Sequence, residues 1–420
     1  MTQPRTNPEK WIFFALLVLA FLYSNLMRIA GVVVLPPLAE SLGIGAGAVG
    51  FISSLFFYTY GGSFGAWGIL ADRKGPYMTV GVSLMIAAGG SFILMFAGSV
   101  FAVGLGRALS GFGLSSAFTG VLLYSAAAFR VERYAFFVGL SMVIGHMGTV
   151  VAVAPLGAAL DAVGFRGVYF ALGVFPLAIG LPLLAFRARD PYVASGKRTP
   201  GGFSFMDFMR DLRDGGVMIW QSFPLRVIAL TWGVSAAAIS TLQGLWAVTW
   251  VQATTGADAS AARMCATWIS FGMVAGPVAG GVLTRRFAGR RRLFVVMWTL
   301  IVASWALWMG LALVGAPLRM LSAAGFALGF FSAVGFVFMG NATRELAPPG
   351  KNGSAIGMIN MGLYMMVIIF QWGTGIILDL FPSPDIPGAY TQTGYQIGFG
   401  AILLFQAWLL RMILKVESFR

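Results

Sequence analysis

Two arginines and one histidine stand inside apolar runs that would normally exclude them. Arg28 follows Tyr23-Ser24-Asn25-Leu26-Met27 in a run that begins near Trp11. That places it about 25 Å along a helix rising ~1.5 Å per residue. An arginine that far from water costs on the order of 3 kcal/mol or more, so it faces a cavity or a partner. Its fixed fork of N–H donors fits a carboxylate or a phosphate; the competing reading is a structural arginine bound to backbone carbonyls. His146 is the only histidine and sits in the middle of another apolar run. An imidazole ordinarily titrates near pH 6.5, which suits it to carrying a proton or touching a substrate. It could equally be a neutral ring bonded to a neighbouring helix. Arg107, in Arg107-Ala108-Leu109-Ser110-Gly111-Phe112-Gly113, has a functional reading and a plainer one, a side chain snorkelling to an interface. Asn25, Gln243, Asn360, Tyr364 and Gln371 are further polar groups within apolar segments and are expected to line a substrate cavity.

Other chemistries find little support. One histidine, one cysteine (Cys265) and no acidic residue deep in an apolar run provide no metal-ligand set. No phosphate-cradling loop follows any segment, so neither nucleotide nor other cofactor is expected. No nucleophile–base set or pair of carboxylates lies in the apolar runs, and the chain is not expected to be an enzyme.

The elements that must position these residues are read from composition. Of 420 residues 58% are hydrophobic and 10% charged, with mean hydropathy +0.84. A soluble chain carries about a quarter charged residues, so this is an all-α integral membrane protein. A span needs about 20 apolar residues, and twelve segments qualify: roughly 11–38, 46–70, 76–97, 100–127, 134–160, 167–186, 224–253, 261–283, 293–314, 318–341, 353–380 and 395–414. The first runs on as a full helix, so a separate signal peptide is not expected. The long connection 187–223 divides the chain into a first bundle, 1–186, and a second, 224–420. Its stretch Phe203–Met209 is expected to form an interfacial helix. Arg166, Arg263 and Arg319 fall in one set of loops, and Arg28 and Arg107 inside spans. Every other one of the 28 lysines and arginines falls on the side of the two termini. By the positive-inside rule the termini are cytoplasmic. The net charge of +14 is thereby explained by topology, and nucleic acid is not expected as a partner.

A charged turn organises the first bundle. Gly68-x-x-x-Asp72-Arg73-Lys74-Gly75-Pro76 cannot continue a bilayer helix and forces a polar hairpin between two spans. The second half repeats it. Gly68-x-x-x-Asp72-Arg73 corresponds to Gly281-x-x-x-Arg285-Arg286, Glu132 to Glu345, and Leu156-Gly157-x-x-Leu160-Asp161 to Thr374-Gly375-x-x-Leu378-Asp379. Duplicated six-helix halves about an axis along the membrane normal are a common transporter plan.

These motifs resemble the major facilitator superfamily of transporters. The 68–75 turn is similar to its loop between helices 2 and 3, and Arg107-x-x-x-Gly111-x-Gly113 to a helix 4 motif whose arginine is associated with proton coupling. The resemblance implies two pseudo-symmetric six-helix bundles around a central cavity. It also implies a network of Asp72, Arg73, Arg130, Glu132, Arg133, Arg344 and Glu345 that locks the halves together on the cytoplasmic side when the cavity opens outward. Asp72→Asn is then expected to favour the inward-open state. Tyr23-Ser24-Asn25-Leu26-Met27-Arg28 followed by Pro36-Pro37 resembles the first helix of organophosphate and organic-anion members, where the arginine binds the substrate's anionic group. Those that take phosphate esters pair it with a helix 7 arginine. Here the seventh span offers Ser240, Thr241, Gln243 and Trp246 instead, which favours a monoanion or zwitterion. Where exporters carry Gly-Pro-x-x-Gly-Gly in helix 5, this chain has Ala154-Pro155-Leu156-Gly157-Ala158-Ala159. The Gly272–Gly281 run in span 8 is expected to serve close helix packing.

The expectation is therefore a monomeric secondary transporter of the inner membrane that takes up a small organic anion, with protons as coupling ion. Arg28, Asn25, Gln243, Asn360, Tyr364 and Gln371 would bind substrate, while His146 and Arg107 would couple protons. Partners would be limited to substrate, protons and membrane lipids. Proton-driven efflux of an amphipathic compound is the alternative, and a transporter-like receptor a third.

Overall fold

The computed structural model describes residues 8–194, 205–287, 291–348, 352–384, 386 and 388–415, with backbone alone at 131, 135, 205–208, 211, 212, 284–287, 291, 293, 341, 344, 352–354, 356 and 357. Backbone groups in hydrocarbon must be bonded within the element, which leaves helices as the economical choice for this composition. Helices make up the regular structure of the described residues, apart from one isolated antiparallel bridge between Pro382 and Tyr390.

The first half comprises α1 (Pro8–Ile29), α2 (Gly31–Leu42), α3 (Ala46–Lys74), α4 (Pro76–Met95), α5 (Val100–Leu114), α6 (Ala117–Ala128), α7 (Val131–Val151) and α8 (Ala154–Ala185), followed by the short α9 (Pro191–Ala194). The linker holds α10 (Phe205–Gln221). The second half comprises α11 (Phe223–Thr241), α12 (Ala247–Thr255), α13 (Ala259–Phe287), α14 (Arg291–Leu313), α15 (Leu318–Leu346), α16 (Asn352–Asp379) and α17 (Gln392–Leu414). A π-turn, Leu242–Trp246, joins α11 to α12.

Eleven of these passages are long and apolar enough to cross a membrane. The element outside that count is α3, expected as the second span. It has 29 residues but is diluted by Gly61, Gly62, Ser53, Ser54, Ser63 and the charged Asp72-Arg73-Lys74. Its small and polar residues face helices more than lipid, and with it the fold is consistent with twelve passages.

Several spans are less regular than periodicity suggests. The first breaks at Ala30 between α1 and α2, a few residues before Pro36-Pro37, which cannot supply N–H groups to the preceding turn. The fifth breaks at Ala152–Val153 and runs on into α8, where Gly164 takes φ 69 and separates spans five and six. Gly75, at φ 83, makes the turn from α3 to α4 with Pro76 opening the next helix. Of the stretch Phe203–Met209, Phe203 and Ser204 lie outside the described residues; the rest opens α10, Phe205–Gln221, which packs on α16 and α11.

Within the halves, α4 packs on α5 and α8, α3 on α5, α1 on α7, α13 on α15, and α11 on α16. Gly272 and Gly276 lie against the backbone of Phe326–Phe330 on α15, so the span 8 glycines do serve close packing. The halves meet mainly along α3 with α16, α7 and α8 with α13, and the α1–α2 corner with the π-turn.

Candidate functional site

At the α1–α2 break, Gly31 lies so close to the π-turn that a Cβ there would come within 2.9 Å of the Gly244 carbonyl oxygen. The Arg28 carbonyl and the Gln371 amide flank Gly244 from the other side. Spans one, seven and eleven thus converge where each carries polar groups. Arg28 is half-buried, and its Nη2 donates to Asn25 Oδ1 at 2.6 Å, while Asn25 Nδ2 donates to the Phe21 carbonyl at 2.9 Å. The Arg28 Nε is buried without a partner. Among the described residues, no carboxylate lies within ion-pair distance of Arg28. Its charge acts on His146 and on Tyr364, one from each half.

Around this cation the sequence-derived residues fall into three groups. Tyr364 belongs to an aromatic wall between the halves: its ring lies 5.3 Å from that of Tyr60 and 6.2 Å from that of Phe57. Gly61 leaves room for it. Gln371 is 0% exposed with both amide atoms unbonded, and Asn360 is half-buried farther along the same helix. Gln243 is directed elsewhere. Its Nε2 donates to Ser270 Oγ at 2.7 Å, and Ser270 donates to the Thr149 carbonyl at 2.9 Å, bonding the second half to the first. His146 is anchored through Nδ1 at 2.7 Å from the Met142 carbonyl oxygen, with its ring edge-on to Phe21.

Arg107 is 1% exposed and does not snorkel. It donates to the carbonyls of Met27 and Ser53, at 3.2 Å each, and lies 4.9 Å over the Phe56 ring. It therefore ties α5 to α1 and α3, one residue from Arg28, and its Nε is also unpartnered.

The charged residues near the termini are apart. Arg130, Glu132, Arg133 and Glu345 are exposed, and among the described residues no ion pair joins them. The Arg344 side chain lies outside the described residues. Arg73 borders a groove with Trp67, Leu70 and Phe112. Beyond the span's end, Asp72 accepts from the Tyr192 hydroxyl at 3.4 Å; burial pushes its carboxyl up, and that hydrogen bond offsets part of the rise. Asp190, which the sequence did not single out, is fully buried and accepts from the Tyr77 N–H at 2.8 Å and the Tyr192 N–H at 2.9 Å. It caps α4 where the Gly75-Pro76 turn leaves N–H groups free.

The opposite face, the hairpin face, bears the α2–α3, α4–α5, α12–α13, α14–α15 and α16–α17 turns and not the Asp72 turn, and it is closed. Asp379 at the end of α16 accepts from the Ala46 and Gly47 N–H groups at 2.6 and 2.7 Å. Arg263 Nη1 pairs with Asp161 Oδ2 at 2.8 Å. A cavity of about 540 Å³ sits on this face, bordered by Glu40, Val49, Trp246, Asp379 and Tyr390. Trp246 Nε1 donates to Thr374 Oγ1 at 2.9 Å beside it. The halves are thus joined on the hairpin side as far as Gly61 and Tyr364, while on the termini side, among the described residues, Arg130, Glu132, Arg133 and Glu345 form no ion pair with one another.

A bacterial homologue of the human lysosomal transporter Spinster, in its inward-facing and unoccupied conformation, superposes with a TM-score of 0.72 at 13% identity, covering 97% of each chain. The nucleoside transporter NupG, in a mutant form, gives 0.72 at 14% identity over 94% of this chain and 99% of that one. At such identities the likeness concerns the fold. No curated protein sequence matches. Residues 13–249 match the Major Facilitator Superfamily, which is more than half of the 420 residues. With that match, and with an all-helical fold whose described residues include eleven helices long and apolar enough to cross a membrane, the chain belongs to the major facilitator superfamily of secondary transporters.

Proposed function

We propose that this transporter takes up a small organic anion together with protons, across a bacterial inner membrane, with both termini cytoplasmic and the monomer as the working unit. The observation that carries the reading is Arg28: a cation between the halves with no carboxylate beside it and one N–H buried and unbonded. A half-buried charge without a counter-ion is costly, and a substrate carboxylate or phosphate monoanion would supply the missing acceptor. Tyr364, Gln371, Asn360 and Asn25 would complete the site, and Gln243 would help hold the halves around it. An anion on Arg28 and a proton on His146 offset each other's charge, so the two would cross together, with Arg107 holding α1 in place beside them. Differential binding to two states would then drive alternating access. In this reading the described state opens toward the cytoplasm, and Asp72, Arg73, Arg130, Glu132, Arg133, Arg344 and Glu345 engage when the cavity opens the other way.

The test is a thermal-shift screen of organic anions against cationic and neutral amphipaths, on the parent and on Arg28→Ala. A ligand at 100 times its Kd adds about 2.7 kcal/mol of stability. Stabilisation by an anion that disappears in Arg28→Ala is expected. Stabilisation by amphipathic drugs in both proteins would overturn the anion reading and favour efflux.

A further inference from the structure

Asp161 and Asp379 occupy equivalent positions of the repeat, in Leu156-Gly157-x-x-Leu160-Asp161 and Thr374-Gly375-x-x-Leu378-Asp379. Both sit on the hairpin face, and both reach from one half into the first turns of the helix that starts on that face in the other half. Asp379, from α16, accepts from the first N–H groups of α3: Ala46 N at 2.6 Å on one oxygen and Gly47 N at 2.7 Å on the other. Asp161, from α8, takes Arg263 of α13 on both oxygens, Nη1 at 2.8 Å and Nη2 at 3.1 Å. Arg263 lies across Gly157, where a Cβ would collide with it, and also donates to the Ala259 carbonyl at 3.0 Å.

We infer that Asp161 and Asp379 form a two-part latch that holds the hairpin face shut and must let go when that face opens. The inference rests on the alternating-access reading and does not depend on which substrate is carried. The two halves of the latch differ chemically. Asp379 bonds the backbone of α3, so those two contacts cannot be changed by side-chain substitution on α3, and the Tyr390 hydroxyl of its own half is a further partner. It gains from both the free N–H groups of the α3 terminus and the positive end of the helix dipole. Asp161 bonds a side chain, so its contact can be broken and rebuilt by exchanging charges. The glycines make both contacts possible. A side chain at Gly45 would meet Asp379 Oδ1 at 2.6 Å, and one at Gly157 would displace Arg263. Neither pair touches Arg28, so the latch sets which face is open without being part of the binding site.

The experiment reads opening directly. Val49 is 5% exposed and borders the hairpin-side cavity next to Asp379. A V49C reporter in a Cys265→Ser background, in detergent and without ligand, is labelled by a maleimide only when this face opens. Asp379→Ala is expected to raise the labelling rate about fivefold, the usual effect of losing a helix cap. Asp379→Asn keeps one acceptor and should raise it less. Asp161→Asn is expected to raise it up to fivefold, because its carboxylate is partly solvated. The double variant should combine the two effects, since the sites share no partner. Asp161→Arg with Arg263→Asp should return the rate toward the parent's, whereas either change alone should not. Unchanged labelling in a double variant that elutes as a single species and unfolds cooperatively would overturn the latch. So would increased labelling in the charge exchange equal to that of its single variants. Retained anion stabilisation through Arg28 would show that such a failure belongs to the latch and not to the transport reading.

Discussion

Arg28 and Gln371 are both polar, both between the halves and both short of hydrogen bonds, yet replacing them should have different consequences. Hydrogen bonds to an ionised group contribute about 1.5–3 kcal/mol, so Arg28→Ala should weaken binding of an anionic ligand roughly 10- to 150-fold. Arg28→Lys keeps the charge and loses the fork, and should fall between parent and Arg28→Ala. Calorimetric titration with whichever anion stabilises the parent would measure both. Gln371 is fully buried with neither amide atom bonded, a condition that costs about 1–3 kcal/mol. Gln371→Leu removes it at similar volume, so the ligand-free protein should unfold at a higher temperature while the ligand-induced shift shrinks. A lower transition in the ligand-free variant would mean that the amide is bonded in the resting protein. Arg107 behaves differently again. Its guanidinium holds two backbone carbonyls from two other helices. Arg107→Ala should therefore lower the unfolding temperature of the ligand-free protein, and transport should fall with it.

At the scale of elements, the α3–α16 contact is a seam of glycines. A Cβ on Gly50 would collide with the Gln371 carbonyl, and one on Gly375 with the Ala46 carbonyl, whereas Gly62 and Gly373 on the same two helices have open space. Gly50→Ala and Gly375→Ala should force the seam apart and increase labelling of hairpin-side reporters, while Gly62→Ala and Gly373→Ala should leave it unchanged. Equal effects from all four would point to helix propensity instead of close approach. The seam also shows what the chain makes legible. That α3 belongs to the bundle was readable from the charged turn at Asp72, since Gly75-Pro76 ends a span whatever surrounds it. That its glycines face α16 was not, because which faces of two helices meet depends on the whole bundle. The same holds at the site. Arg28, His146, Tyr364 and Gln371 stood out as polar groups in runs long enough to cross a bilayer. Tyr60 did not, lying in Phe56-Phe57-Tyr58-Thr59-Tyr60, where consecutive rings point to different helix faces. Ser270 is of a type that often bonds its own helix, so its bond to the Thr149 carbonyl across the halves had no local signal. The repeat of Asp161 and Asp379 was visible as spacing, and only the structure gave it partners. The π-turn at Leu242–Trp246 left no mark beyond Gly244; it arises where the α1–α2 corner presses against span seven.

For the whole molecule, closure of one face and separation at the other should be linked. On the hairpin side α3 and α16, and α8 and α13, are bonded across the halves. On the termini side Arg133 and Glu345 are exposed and unpaired with each other. If each half moves as a packed body around the site at Arg28, the two faces cannot close together, because the Tyr60–Tyr364 wall and the Gly31–Gly244 contact lie between them and act as a fulcrum. Spin labels report this directly. Phe96 and Val314 are exposed on the hairpin side, one in each half, and Arg133 and Glu345 occupy the corresponding places on the termini side. Pulsed dipolar distances in the ligand-free protein should show the Phe96–Val314 pair and the Arg133–Glu345 pair each in a single distribution. Asp379→Ala combined with Asp161→Asn should lengthen the first and shorten the second in the same fraction of molecules. Lengthening at the hairpin side with no change at the other would mean that the seam frays locally and that the halves do not rock. Reciprocal change would show that contacts on one face are sensed at the other, as the proposed coupling of a substrate on Arg28 to a proton on His146 would require.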